Sequence, residues 1–416
     1  MTSNIRQVNN NSKGDKTVVF VEAFWHHDLL STIYEISKNF KEWKPIIIST
    51  DRIIQKAGLK SDNTKIIKIK DSYRHEWASL DFKRKLIYYP KLISSLKKEG
   101  EDLLKILKKI KFDVLVINTL CEPAFFFPIF QWIKKERQNI RLVAVIHNSY
   151  LWEVSWFLKM LNTKDIRERR IGWLLFNITH KEYIDGIITL GGYVKLPKNF
   201  YNIPKIVIPS RLPAKKPLIC DKEDYKIYFV IPGKVQQAYG KNYIGLLEAF
   251  KDILEKNPKY KDFVKIVLLG KLLDTNIREF IIRYLKESVI YYDHFVKEEE
   301  YLRWMSKAHF VIIPITSSEP YGKYKISGAL NDAFAYGVPV LLPENYASDY
   351  QFDRNVIRFS WSNLERSIEQ FIEMVLNKSE NYIKIKKTAE IFKKSMEASY
   401  VASQFEKFLD EVYLKS

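Results

Sequence analysis

Apolar residues recur along this chain in two alternating rhythms. Unbroken runs rich in β-branched and aromatic residues predict buried strands at TVVFVEAF (17–24), KPIIIST (44–50), FDVLVINT (112–119), RLVAVIHN (141–148), IDGIITLG (184–191) and KIVIPSR (205–211). Between them, helical spacing predicts helices at LLSTIYEISKNF (29–40), at the basic amphipathic KLISSLKKEGEDLLKILKKI (91–110) and at AFFFPIFQWIKKER (124–137), which contains a proline. Strands that alternate with helices specify βαβ units and a parallel sheet.

A Pro- and Lys-rich segment, LPAKKPLICDKEDYK (212–226), interrupts the alternation and reads as a linker. The alternation then restarts. Strands are expected at 227–234, 264–271, 289–295, 309–315 and 338–343, and helices at 242–258, 277–288, 298–308 and within SGALNDAFAY. Residues 362–376 and 379–413 read as helices to the end. The expected organisation is therefore a tail over 1–15, one α/β domain over 16–211, the linker 212–226, a second α/β domain over 227–378, and helices over 379–416 that pack back towards the first domain. Ligands of open α/β sheets bind beyond the strand C-termini, so two such domains face to face define a cleft.

The chain has 416 residues, of which 46% are hydrophobic and 28% charged, as a globular protein requires. Its net charge of +19 favours anionic partners: phosphorylated small molecules, an anionic membrane face, or nucleic acid. No RRM, KH or zinc-finger pattern supports nucleic acid. Two cysteines, Cys121 and Cys220, form neither a disulfide framework nor a zinc set. The polar start MTSNIRQVNNNSKGDK lacks a signal-peptide core, and PAFFFPIFQWI (123–133) is too short to span a bilayer, so a cytoplasmic protein is expected.

Two segments carry candidate chemistry. In PGKVQQAYGKN (232–242) a strand ends at Gly233, and Lys234 and Lys241 flank a loop that leads into a helix. Such a loop presents backbone N–H groups and two ammonium groups to a phosphate. In KYKISGALNDAFAYGVPVLLP (323–343), Lys325 precedes Ser327, an expected N-cap, and Gly328 opens the helix N-terminus to close approach by an anion. Asp332 follows one turn later, placed to accept from the vicinal hydroxyls of a ribose. Gly337 and Pro339 end the helix and begin a strand.

SGALNDAFAYGVPVLLP resembles the donor-binding segment of glycosyltransferases of the GT-B fold. Its wording is nearest the lipid-linked muramyl-peptide GlcNAc transferase type. The order of elements over about 227–345 resembles family 4 glycosyltransferases, with Gly233-Lys234 preceding Lys241. The resemblance implies two Rossmann-like domains facing across a cleft, and transfer of a sugar from a nucleotide diphosphate sugar, UDP-linked, to a glycan or lipid-linked acceptor. No cofactor beyond that co-substrate is implied. It places Gly233, Lys234, Lys241, Ser327 and Gly328 on the diphosphate and Asp293, His294, Phe295 and Val296 on the nucleobase. Many family 4 enzymes carry two glutamates eight positions apart here. Asp332 takes the place of the second, the eighth position back is Tyr324, and the acid that resembles the first is Glu319, with extra residues inserted. Glu319, Tyr324 and Lys325 complete the donor-binding set.

The catalytic group is expected from the first domain. EAFWHHDLL (22–30) joins the first strand to the first helix at the cleft rim, where such enzymes often carry a Gly-rich loop. Its best titrating set is His26, His27 and Asp28, and His147 ends a neighbouring strand. A His can deprotonate a hydroxyl near neutral pH. The candidates are His27, Asp28 and His147. The chain contains no Asp-x-Asp pattern to hold Mg²⁺, and a GT-B site can stabilise the leaving diphosphate with lysines and a helix end, so no metal is expected. Segments 73–92 and 152–176 interleave aromatic residues with Lys and Arg, which suits contact with an anionic membrane surface. Two other readings stay open: a nucleotide-sugar epimerase of the same fold, and a non-catalytic binder of anionic polymers.

Overall fold

The computed structural model describes residues 16–414, except 25, 61–63, 72–81, 119, 121–122, 137–138, 148–182, 193, 195, 197–199, 214–224, 238–239, 317–326 and 347–355. The tail 1–15, both cysteines, all of 152–176, much of 73–92, most of the linker, and Glu319, Tyr324 and Lys325 lie outside the described residues.

Two parallel sheets form the molecule. The first contains β1 (Lys16–Glu22), β2 (Trp43–Thr50), β3 (Lys65–Ile69), β4 (Val114–Ile117), β5 (Arg141–Ile146), β6 (Gly186–Thr189) and β7 (Lys205–Val207), in the order β3-β2-β1-β4-β5-β6-β7. The second contains β8 (Ile227–Pro232), β9 (Val264–Lys271), β10 (Val289–Tyr292), β11 (Phe310–Ile312), β12 (Val340–Pro343) and β13 (Val356–Phe359), in the order β10-β9-β8-β11-β12-β13. Every strand pair is parallel. Helices cover such sheets on both faces, which is why the central strands are apolar without alternation. All residues of β4, β5, β8 and β12 are buried.

The helices are α1 (His27–Ser37), α2 (Asp51–Lys56), α3 (Phe82–Leu107), α4 (Pro123–Lys135), α5 (Tyr243–Lys256), α6 (Tyr260–Phe263), α7 (Thr275–Phe280), α8 (Glu298–Lys307), α9 (Gly328–Tyr336), α10 (Leu364–Leu376), α11 (Glu380–Ser395) and α12 (Ala398–Leu414). α11 packs on α9, and α12 returns to α1 and β7 of the first sheet. Phe405 of α12 is buried edge-on against Phe20 and Phe40. Asp410 accepts from Lys16 Nζ at 2.6 Å and from Trp43 Nε1 at 3.0 Å. Glu406 Oε1 accepts from the backbone N–H groups of Lys41, Glu42 and Trp43.

The structure differs from the sequence expectation in several places. The edge strands β3 (KIIKI) and β13 (VIRF) went unpredicted: each is short and half-exposed, so neither has the unbroken apolar signature of the interior strands. The helix expected over 91–110 starts earlier, at Phe82. The helix expected over 277–288 ends as α7 at Phe280 and continues as a π turn (Ile281–Leu285) and a 3₁₀ turn (Lys286–Ser288). The strand expected over 205–211 stops at Val207, which frees Ser210 and Arg211 to turn into the cleft.

Strand order reverses between β1 and β4 in one sheet and between β8 and β11 in the other. At such a point the flanking connections leave in opposite directions and open a crevice at the strand C-termini. Among the described residues, no helix is long and apolar enough to cross a membrane.

Candidate functional site

A cavity of about 1300 Å³ lies between the two sheets, lined from both. This exceeds the volume of about 300–1,000 Å³ usual for one small-molecule site.

The second sheet supplies a basic wall. After β8 the chain turns at Gly233, whose φ of +101° favours glycine. Gly270, near the end of β9, packs against it so closely that a Cβ there would fall 2.2 Å from the Gly233 carbonyl oxygen. The loop from Gly233 to Asn242 is pinned to the end of β11: Asn242 N donates to Pro314 O at 2.8 Å and Thr316 N to Gly240 O at 2.6 Å. Lys241 Nζ donates to Lys234 O at 3.2 Å and lies 3.5 Å from Tyr243 Oη. Burial lowers the pKa of the Lys241 ammonium and raises that of the Tyr243 phenol. Lys234, Lys241 and Lys271 all line the cavity. Among the described residues, none of the three has a carboxylate within ion-pair distance.

The N-terminus of α9 opens onto the same space, lined by Ser327, Gly328 and Ala329. Ser327 holds the N-cap position with extended backbone (φ −81°, ψ 130°), but its hydroxyl makes no capping bond, contrary to expectation. Among the described residues, a Cβ on Gly328 would meet nothing within 4 Å. The helix ends as expected at Gly337, in the left-handed region at φ +66°.

Asp332 lines the cavity too, with both carboxylate oxygens occupied. Oδ1 accepts from Arg211 Nη1 at 3.2 Å, and Oδ2 accepts a short hydrogen bond from the Tyr301 hydroxyl. Arg211 Nη2 donates to Glu298 Oε1 at 2.6 Å, and the guanidinium sits 5.2 Å from the Tyr301 ring centroid. Burial raises the Asp332 pKa, opposed by Arg211, and the Asp28 charge across the cleft raises it further. Burial works against the Arg211 charge, but the nearby carboxylates outweigh it and its pKa rises.

The loop expected at the nucleobase divides. Phe295 and Val296 line the cavity, and Lys271 Nζ lies 5.7 Å from the Phe295 ring centroid. Asp293 is instead bound by both guanidinium nitrogens of Arg278, one at 2.9 Å, a hydrogen bond that lowers its pKa. His294 packs edge-on against Tyr292, and neither residue is in the cavity lining.

On the first-sheet side, His26 and His147 line the cavity as a stacked pair, with ring centroids 3.8 Å apart and an interplanar angle of 18°. His147 Nε2 donates to Asn118 O at 2.9 Å, linking the ends of neighbouring strands β5 and β4. Asp28 lines the cavity and lies 3.4 Å from His27 Nε2, whereas His27 itself is not in the lining. Because α1 begins at His27, His26 is the residue left at the rim.

Sequence reasoning missed Arg211, Glu298, Tyr301, Gly270 and Lys271. Gly270-Lys271 had a usable signal, since it repeats the strand-Gly-Lys order of Gly233-Lys234. The other three are joined by distant contacts that no local pattern announces. Among the described residues, no three His, Cys, Asp or Glu side chains gather as a metal ligand set.

No family model and no curated protein matches this chain. Solved structures do. A trehalose-6-phosphate structure from E. coli bound with UDP-2-fluoro glucose is 10% identical with a TM-score of 0.61, covering 96% of this chain and 100% of that one. Sucrose-phosphate synthase from Thermosynechococcus elongatus is 12% identical with a TM-score of 0.58 and covers 96% and 100%. A Listeria monocytogenes protein assigned to UDP-N-acetylglucosamine 2-epimerase is 11% identical with a TM-score of 0.57 and covers 97% and 98%. At these identities the likeness is one of fold. The fold is GT-B-like: parallel sheets of seven and six strands with C-terminal helices.

Proposed function

We propose that the protein is a glycosyltransferase that moves a sugar from a nucleotide diphosphate sugar, UDP-linked, to a glycan or lipid-linked acceptor without a metal ion. The observation that carries this reading is the convergence on one cavity of the α9 N-terminus and of three lysines that have no carboxylate partner among the described residues. Helix N-termini present orphan N–H groups and a positive dipole end, and lysines add full charges, so together they favour a diphosphate. In this reading Lys234, Lys241, Gly233, Ser327 and Gly328 hold the diphosphate, joined by Lys271, and Phe295 and Val296 meet the base. Glu319, Tyr324 and Lys325, which precede α9 in sequence, belong to the donor side.

Transfer breaks the bond between the anomeric carbon and the β-phosphate oxygen and forms one to the acceptor hydroxyl oxygen. The electron pair leaves with the diphosphate, whose growing charge the lysines and helix end stabilise. The acceptor proton goes to a base on the first-sheet side, where His147, His26 and Asp28 face the cavity. Residues 16–211 act as the acceptor domain, 227–378 as the donor domain, and 379–416 as the tie between them. Segments 73–92 and 152–176 contact an anionic membrane surface on the cytoplasmic side.

Thermal unfolding with UDP, GDP, ADP and dTDP, with and without EDTA, tests the reading. A nucleotide at about a hundred times its Kd adds about 2.7 kcal/mol. The expected result is a shift with a uridine or related nucleotide that EDTA leaves unchanged and Lys241→Glu abolishes. No shift with any nucleotide in a folded sample refutes the reading and favours an anionic-polymer binder. The likeness to the Listeria protein supports a second reading, an epimerase. Incubation with the nucleotide sugar alone separates the two, because an epimerase converts it without acceptor.

A further inference from the structure

Away from the lysines, the cavity follows the length of α1. Asp28, Ser31, Glu35 and Asn39 line it at steps of three and four residues, the spacing of one helix face. Asn39 lies just past the helix end and is held in line by its Nδ2 donating to Glu35 O at 2.8 Å. The start of this face looks across the cleft towards Asp332. Its other end meets α12, where Phe40 packs on Phe405 and Lys41 N donates to Glu406. There Lys393 of α11 and Glu397 and Ser399 of the α11–α12 junction join the lining. From Asp28 to Lys38 the face is about 15 Å long, at the helical rise of about 1.5 Å per residue. A pyranose ring advances a glycan by about one helical turn, so this length matches about three rings.

The charge of this face differs from that of the donor wall. Its two ammonium groups have carboxylate neighbours: Lys38 Nζ lies 3.2 Å from Glu35 Oε1, and Lys393 Nζ lies 3.6 Å from Glu390 Oε2. Asp28, Glu35 and Glu397 set three carboxylates in the lining against Lys38 and Lys393. A phosphorylated or otherwise anionic acceptor gains nothing from such a balance. An acyl chain would strip water from these polar groups without replacing their hydrogen bonds. Hydroxyl, amide and carboxylate groups in mixed order both donate to and accept from sugar hydroxyls.

We propose that this face of α1 is the acceptor subsite and that it holds about three rings at the growing end of a neutral glycan. The proposal rests on the transferase reading above and narrows its acceptor class, with the receiving hydroxyl beside Asp28 and His147. Asn39 and Ser399 are exposed, so the outer end is open and a longer chain continues into solvent.

Calorimetric titration of the full chain, in the presence of UDP, with malto-, cello- and chito-oligosaccharides of one to six rings tests the proposal, with glucose 6-phosphate as the anionic probe. The expected result is that in at least one series Kd falls about tenfold or more between one ring and three, then levels off. Equal Kd at every length, tighter binding of glucose 6-phosphate than of any trisaccharide, or no binding of any oligosaccharide by a sample that binds UDP overturns the proposal and leaves the nucleotide-sugar reading standing. Failure to bind UDP overturns both. Ser399→Trp places an indole at the outer end and should erase the gain from the third ring in a sample that still binds UDP. An undiminished gain in that sample overturns the course drawn for the glycan.

Discussion

The Gly270 α-carbon rests against the Gly233 carbonyl, leaving no room for a side chain: a Cβ would fall 2.2 Å from that oxygen and 2.6 Å from its carbon. Both obstructing atoms are backbone, so nothing nearby can swing aside. Gly270→Ala must push the ends of β8 and β9 apart, and overpacking of this kind costs about 1–3 kcal/mol. The same displacement moves Lys234 and loosens the Lys241 loop. The denaturation midpoint should fall, and UDP-dependent stabilisation should fall with it.

Gly328 makes the opposite case. A methyl added there meets nothing within 4 Å among the described residues, so Gly328→Ala should change the stability of the free protein by no more than about 0.5 kcal/mol. The methyl would stand in front of the first N–H groups of α9, where the diphosphate is proposed to lie. Nucleotide affinity should fall about tenfold or more with stability intact. Unchanged UDP affinity in this variant would move the diphosphate away from α9.

Lys241 is an ammonium that burial disfavours. Its folded pKa lies below its unfolded value, so the unfolded chain binds more protons in the window between the two. Stability therefore rises with pH through that window, which lies below about 10.5, and the cost is fully present below the folded pKa. Lys241→Met should remove that cost. Lys234 O keeps its hydrogen bond from Tyr243 Oη at 3.1 Å, so no acceptor is stranded. The variant should be more stable than wild type by about 0.5–2 kcal/mol at pH 7 and lose its response to UDP. Urea unfolding at pH 7 and pH 10 provides the check, because the difference from wild type should shrink at the higher pH.

The sequence made the interior of the fold legible and the cleft only partly so. Buried parallel strands such as VLVI and RLVAVI are unbroken apolar runs, and burial on both faces leaves no other pattern. The edge strands β3 and β13 carry a lysine or arginine on a half-exposed face and lack that signature. Gly233, Lys234, Lys241 and Gly328 were readable because a glycine at a strand end or helix start has a local backbone reason. The Arg211–Asp332–Tyr301–Glu298 network was not. It joins residues up to 121 positions apart, and its members become partners only after the two sheets come together. Which of His26 and His27 faces the cavity depends on where α1 begins, a boundary that sequence resolves poorly.

The histidines give the most direct test of the first-sheet wall. His147 is fixed by its Nε2–H bond to Asn118 O and by the stacked ring of His26, and both rings face the cavity, whereas His27 does not line it. A general base contributes about 10²–10⁴-fold to a transfer rate. His147→Ala should therefore lower the rate of UDP release from a UDP-sugar in the presence of acceptor by a factor in that range, with UDP affinity unchanged, since the donor side is untouched. His26→Ala should act in the same direction but less, by releasing the His147 ring from its stack. His27→Ala should leave the rate within about twofold of wild type, because the ring is not in the cavity lining and its ion pair is with the exposed Asp28 on the same helix. If His27→Ala proves as damaging as His147→Ala, the catalytic wall lies on the far side of the α1 start and the stacked pair is a packing feature.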